Sequence, residues 1–362
     1  MRKHRILRNI LLDILLAGIA LVIFALFHHV LPRQQEGLGI VIPNPYASLE
    51  TAPEERAALP RDSLIAAGTV SDAGWSLTAA KSKQNGMSTK GGSALTAGEE
   101  TEEADEDVPM AEKFADKYSE EIIQTENSYT SPGVSITVTE ETLQNGRITY
   151  YLADIYLKDV TSLQTALARN KYGSGFRDDI ADMAVQAGAL LAVNGDYYGN
   201  TSEGAVIRNG VIYRMNRTSC DVCVLYYDGS MRTLPGGSFT LEDAVQDGAW
   251  QAWTFGPALL DGSGSAITSF ASTGRIIAAN PRTAIGYYEP GHYCLVVVDG
   301  RGESAGITLP QLSQLLEDLG CRAAYNLDGG NSSVMVWQDG VINDPSGGGR
   351  ESSDAVMIVE VN

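Results

Sequence analysis

Three short polar clusters in this chain of 362 residues carry side chains that can do chemistry: Asn194-Gly195-Asp196, Asp299-Gly300-Arg301 and Asn326-Leu327-Asp328-Gly329-Gly330. Each follows an apolar run that reads as a strand. Carboxylates and amides delivered at the ends of buried strands make a site when those ends converge. Taken singly, Asp-Gly and Asn-Gly are ordinary turn pairs, but three in comparable positions point to shared use. Ser332 and Ser333 follow the Gly329-Gly330 pair and offer hydroxyls and backbone N–H groups to an anion, without the lysine of a nucleotide-binding loop. Arg282 and Arg301 can each hold a phosphate through two parallel hydrogen bonds, or serve as structural ion pairs with a neighbouring Asp.

What is missing narrows the chemistry further. Beyond the first 30 residues there is one histidine, His292, expected in a surface Pro-Gly turn, so a Ser/His/Asp triad or a histidine metal cluster has no support. The four cysteines are too few for a disulfide framework. Cys294 and Cys321 read as core thiols, and a Cys220–Cys223 bridge stays open for an oxidising compartment. A formal charge of −19 with no basic cluster past residue 8 excludes a nucleic-acid footprint. Carboxylates, Asn amides, Arg and hydroxyls remain, which is the inventory of carbohydrate and phosphate-ester chemistry.

The elements that must position these groups are legible from residue periodicity. Hairpins are expected at Asn145-Gly146, Asn209-Gly210 and Asp228-Gly229, and a further strand pair across Glu289-Pro290-Gly291. Helices are expected over 178–188, closed by Gly188, over 241–246, and after Thr308 with Leu312, Leu315, Leu316 and Leu319 on one face. The fold class is α+β, a mixed α/β arrangement whose mostly antiparallel β-sheet core is flanked by helices.

Three regions follow. Residues 1–31 read as a cytoplasmic basic flank (Arg2, Lys3, Arg5, Arg8) and a transmembrane signal anchor over 10–31. That predicts a single-pass cell-membrane protein with its amino terminus cytoplasmic and its carboxy-terminal domain extracytoplasmic; a cleaved signal peptide is the rival. Residues 32–132 are acidic, low in complexity and read as a disordered tether, with a short helix around 110–123. Residues 133–362 form the functional domain.

Five segments occur in an order that resembles the phosphodiester glycosidase family: Leu191 to Tyr198, Phe255 to Leu259, Pro281 to Gly286, Val298 to Arg301 and Tyr325 to Ser333. The resemblance covers about 150–362. The basic start and single span resemble bacterial cell-envelope members, whereas the four cysteines depart from the disulfide-rich lysosomal one. The resemblance implies an extracytoplasmic hydrolase that cleaves sugar-1-phosphodiester bonds in envelope glycans or exopolysaccharide. It implies Asp196 or Asp328 as base or nucleophile, with Asp299, Arg282 and Arg301 shaping the phosphate and sugar subsites. Asn194, Gly195, Thr283, Asn326, Gly329, Gly330, Ser332 and Ser333 would bind substrate. The partner is then a phosphodiester glycan, with the membrane reached through the amino-terminal helix.

Two other readings stand beside it. One is a non-catalytic glycan-binding or polysaccharide-assembly protein on the same fold. The other is a metal-assisted phosphodiesterase in which Asp196, Asp299 and Asp328 ligate a divalent cation, Ca or Mg.

Overall fold

Turn chemistry places the strands. In the computed structural model, which describes residues 2–25, 31–47 and 110–361, Asn145 and Asn209 sit at positive φ beside Gly146 and Gly210, the backbone a tight hairpin needs. The strands they join, Val134–Leu143 with Ile148–Leu157 and Ala205–Arg208 with Val211–Met215, pair antiparallel. Every strand pairing among the described residues is antiparallel, in sheets of seven, six, five and two strands.

The seven-stranded sheet runs in the order Ala323–Asn326, Arg282–Glu289, His292–Val298, Ile148–Leu157, Val134–Leu143, Ser128–Thr130 and Ile123–Gln124. His292–Val298 lies inside it and is covered on both faces. Tyr293, Leu295 and Val297 face the central core with Leu191, Val193, Trp253 and Val356 of the other sheets. Cys294, Val296 and Val298 face a second core under the Leu309–Asp318 helix, with Leu312 and Leu316. Burial on both faces explains why this strand reads as a continuous apolar run, and each such aliphatic side chain contributes about 1.5–3 kcal/mol by leaving water.

The five-stranded sheet orders Gly340–Val341, Met335–Trp337, Leu191–Asn194, Asp354–Ile358 and Leu163–Leu167. The Ile180–Ala187 helix packs on it and ends on Gly188 in the left-handed conformation. The Leu309–Asp318 helix starts with a capping box in which Thr308 accepts from the Gln311 N–H and the Gln311 side chain accepts from the Thr308 N–H. Both helices begin and end as their sequence signals require.

Three expectations change. The Arg2–Ala25 helix opens on Arg2, Lys3, Arg5 and Arg8 and includes Asp13, and no helix among the described residues is long and apolar enough to cross a membrane. The remainder of the expected span, 26–30, lies outside the described residues, as does most of the expected tether, 48–109. The described parts of that tether are paired: Arg33–Gln34 with Gly173–Ser174, Ile40–Val41 with Val211–Met215, and Ser128–Thr130 with Val134–Leu143. Short strands with at most two apolar residues carry no period of their own, so only the sheet edge they join reveals them. His292 is not a loose turn residue. It opens its strand, stacks between the Tyr156 and Tyr288 rings at 4.1 Å from each, and lies 2.7 Å from Asp154 Oδ1.

All four cysteines are free thiols. Cys223 is buried and Cys220 exposed, while Cys294 and Cys321 meet in the second core with their Sγ atoms 3.7 Å apart.

Candidate active site

The strand ends Leu191–Asn194 and Ala323–Asn326 belong to different sheets and are tied to one another by the groups that follow them. The Asn194 side-chain amide donates to the Asp328 carbonyl at 2.7 Å, and the Asp328 N–H donates to the Gly195 carbonyl at 3.1 Å. Thr283, at the start of the Arg282–Glu289 strand, donates its hydroxyl to Asn194 Oδ1 at 2.7 Å. Asn326 donates to the Gly256 and Leu327 carbonyls at 3.0 and 2.9 Å. Asn194, Thr283 and Asn326 are fully buried, so these bonds form out of water and hold the loop after Asp328 in one place.

That loop presents a carboxylate. Asp328 Oδ1 accepts from the Gly329 N–H at 2.9 Å, and Oδ2 accepts from the Ser332 hydroxyl and from Arg350 Nη2, both at 2.8 Å. Burial raises the Asp328 carboxyl above its ordinary range, opposed by the Ser332 hydroxyl, the Arg350 charge and the Gly329 N–H. Gly329 lies so close to Pro281 that a Cβ would fall 2.9 Å from its carbonyl oxygen. Gly330 has φ +67°, and the Arg301 guanidinium lies against it.

Two arginines flank the loop with no carboxylate. Arg301 donates to Asn331 Oδ1 at 2.8 Å and to Asn280 Oδ1 at 2.7 Å. Arg282, buried behind it, donates only to backbone carbonyls of Ile276, Ala278 and Ile307. Burial, followed by the nearby Arg301 charge, lowers Arg282 to about 10. Among the described residues neither arginine has a carboxylate within ion-pair distance, in a chain of net charge −19.

The other two carboxylates point elsewhere. Asp196 accepts from the Tyr198 N–H at 2.9 Å and the Thr254 N–H at 3.0 Å, and it pairs with fully buried Arg208 at 3.0 Å. Arg208 also grips Asp354 through Nε at 2.9 Å and Nη2 at 2.8 Å. Asp299 accepts from Asn343 Nδ2 at 2.8 Å and the Asp344 N–H at 3.0 Å. Asn343 in turn donates to the Ser333 carbonyl at 3.1 Å, so Asp299 stands behind the loop. Burial raises Asp299 as well. Among the described residues no three His, Cys, Asp or Glu side chains are grouped to hold a metal ion.

Residues 187–359 match the model of the phosphodiester glycosidase family. Over those residues the chain is similar to that family. A Bacillus subtilis (strain 168) protein, the SPbeta prophage-derived uncharacterized protein YomE, is 28% identical over 184 residues, 49% of this chain and 29% of the relative. The chain therefore spans well under half of that relative's length. The catalytic domain of zebrafish N-acetylglucosamine-1-phosphodiester alpha-N-acetylglucosaminidase, solved auto-inhibited by its pro-peptide, is similar in fold, with a TM-score of 0.50 and 21% identity over 63% of this chain and 83% of that one.

Within the matched residues, Asn194, Gly195, Thr283, Asp328, Gly329, Gly330, Ser332 and Arg301 come together around one loop. Asp196 and Asp299 support it from inside, and the Ser333 hydroxyl is buried without a partner. Sequence reasoning missed Arg350, Arg208 and Asp354. A cation directly after the buried run Ala205-Val206-Ile207, and a cation after Gly347-Gly348-Gly349, were the available signals. Neither cation declares its partner, because the Arg208–Asp354 and Arg350–Asp328 pairs join residues 146 and 22 positions apart.

Proposed function

We propose that this chain hydrolyses sugar-1-phosphodiesters between the anomeric carbon and the phosphate oxygen, with Asp328 as the catalytic carboxylate. The observation that carries the proposal is the pairing of one partly exposed carboxylate with two arginines that have no carboxylate of their own. An anionic phosphate supplies the missing counter-charge. Arg301 is exposed and within reach of such a group, and Arg282 adds field from behind. The leaving group is a phosphate monoester, so little proton donation is needed, and stabilising positive charge at the anomeric carbon matters more. Asp328 does that as nucleophile or as base toward water. Asn194, Thr283 and Ser332 set its position.

The substrates that fit are phosphodiester-linked sugars of envelope glycans or exopolysaccharide. An extracytoplasmic site with the basic, apolar Arg2–Ala25 helix as its membrane attachment belongs to the same proposal, and protease treatment of intact cells against lysed cells tests it.

The enzymatic test uses the purified chain, an N-acetylglucosamine-1-phosphodiester and water labelled with oxygen-18. Free sugar carrying the label and an unlabelled phosphate monoester are expected. Label in the phosphate, or sugar-1-phosphate as product, would mean cleavage at phosphorus and would overturn the reading. Saturable glycan binding without any release supports the non-catalytic alternative, and a chelator arm reads out dependence on calcium or magnesium.

A further inference from the structure

Arg350 is an exposed residue beside the Asp328 loop. Its side chain is 43% exposed, it follows Gly347, Gly348 and Gly349 at φ +69°, +80° and +91°, and its contacts lie in the Asp328 loop. It covers the solvent side of Asp328, which is itself only 14% exposed. Nη2 serves both Asp328 Oδ2 at 2.8 Å and Ser332 Oγ at 2.5 Å, and Nε reaches Ser332 Oγ at 3.0 Å. Among the described residues Nη1 has no hydrogen-bond partner. The guanidinium thus occupies both polar groups that a sugar must reach, with one edge still unused.

We propose that Arg350 is a phosphate-binding residue that exchanges Asp328 and Ser332 for the phosphate of the substrate, which opens the carboxylate as the phosphodiester binds. The proposal rests on the reading of this site as a phosphodiester site and adds how it recognises its substrate. The physical basis is competition. In the free protein Arg350 shares a single carboxylate oxygen with a serine hydroxyl, whereas a phosphate offers two oxygens to its planar fork. Three consecutive glycines beside it lower the barrier to moving the side chain. Arg301 and Arg282, lacking carboxylates, already bias that region toward an anion. A neutral glycoside does not trigger the exchange and so meets a carboxylate that is still covered.

Calorimetric titration of the full chain with methyl phosphate, the probe for the phosphate group, tests this. Arg350→Gln is expected to bind roughly tenfold more weakly than the wild type, and Arg350→Lys to fall between, as loss of a charge-assisted contact implies. Asp328→Asn frees the guanidinium and is expected to bind several-fold more tightly. That gain is expected to vanish in Asp328→Asn/Arg350→Gln, since the two residues act through one contact. Loss of the Asp328 charge alone relieves repulsion of the phosphate, but with a merely structural Arg350 that gain would persist in Asp328→Asn/Arg350→Gln. Equal affinity in the wild type, Arg350→Gln and Asp328→Asn, with loss only in Arg301→Gln, would overturn the exchange and leave the phosphodiester reading standing. Absence of methyl phosphate binding in the wild type and in Asp328→Asn alike would overturn both.

Discussion

The amide of Asn194 donates to the carbonyl of Asp328 at 2.7 Å across 134 residues of chain, and Thr283 holds that amide in place by donating to its oxygen. The catalytic candidate is therefore positioned by a bond between two sheets. Thr283→Val keeps the shape and removes one donor. It is expected to cost about 1–2 kcal/mol in urea unfolding, and to lower kcat more than it changes KM, because the loop loses its register. Unchanged kcat in a folded variant would show that this bond does not position Asp328.

Removing the Asp328 carboxylate should be far more severe for activity than for folding. Asp328→Asn is expected to reduce kcat by about 10²–10⁴. In the wild type, burial raises this carboxyl, so the acid limb of the kcat/KM profile should lie above the ordinary carboxylate range. The Ser332 hydroxyl holds it down, so Ser332→Ala should move that limb to still higher pH. A limb that stays put in Ser332→Ala would assign it to another group.

Arg208 pairs with two buried carboxyl groups, Asp196 and Asp354. Arg208→Met leaves both without their cationic partner, and a loss of roughly 3–5 kcal/mol in denaturant unfolding is expected. Asp354 is pushed up from 3.8 to about 8, chiefly by desolvation, with Arg208 opposing and Asp196 adding to the rise. The folded state therefore keeps a proton that the unfolded chain releases. That contribution is full below the unfolded value and fades as pH rises through about 8. Wild-type unfolding midpoints should fall relative to Asp354→Asn over that window, and parallel curves would refute the shift.

Gly286 stands where the two core thiols meet. A Cβ there would lie 2.6 Å from Cys294 Sγ and 2.7 Å from Cys321 Sγ. Gly286→Ala is expected to destabilise by about 1–3 kcal/mol through overpacking. Adding Cys321→Ala should recover part of that loss, measurable as non-additivity in a double-mutant cycle. Strict additivity would mean the core accommodates the methyl by moving elsewhere.

Local interactions explain what was legible in the sequence. The hairpins at Asn145-Gly146 and Asn209-Gly210, the Thr308 capping box and the Gly188 helix end are decided by neighbours a few residues apart, so residue order alone carries them. The same holds for the strand ends that present Asn194, Asn326 and Asp328, because a run of apolar residues ending in a polar cluster is visible in one dimension. Which cluster faces outward is not. Asp196 and Asp328 have the same sequence context, a carboxylate after an apolar strand, yet one turns inward to Arg208 and the other keeps a partly exposed edge under Arg350. That choice depends on where two distant cations land once three sheets share a core. Desolvation, which raises Asp328 and Asp354, likewise exists only after packing has removed the water. The sequence by itself determined the turns, the caps, the strand ends and the chemical inventory; the tertiary structure decided which carboxylate is buried against Arg208 and which lies in the loop beside Arg350, because burial and ion pairing act through space between residues that are not neighbours along the chain.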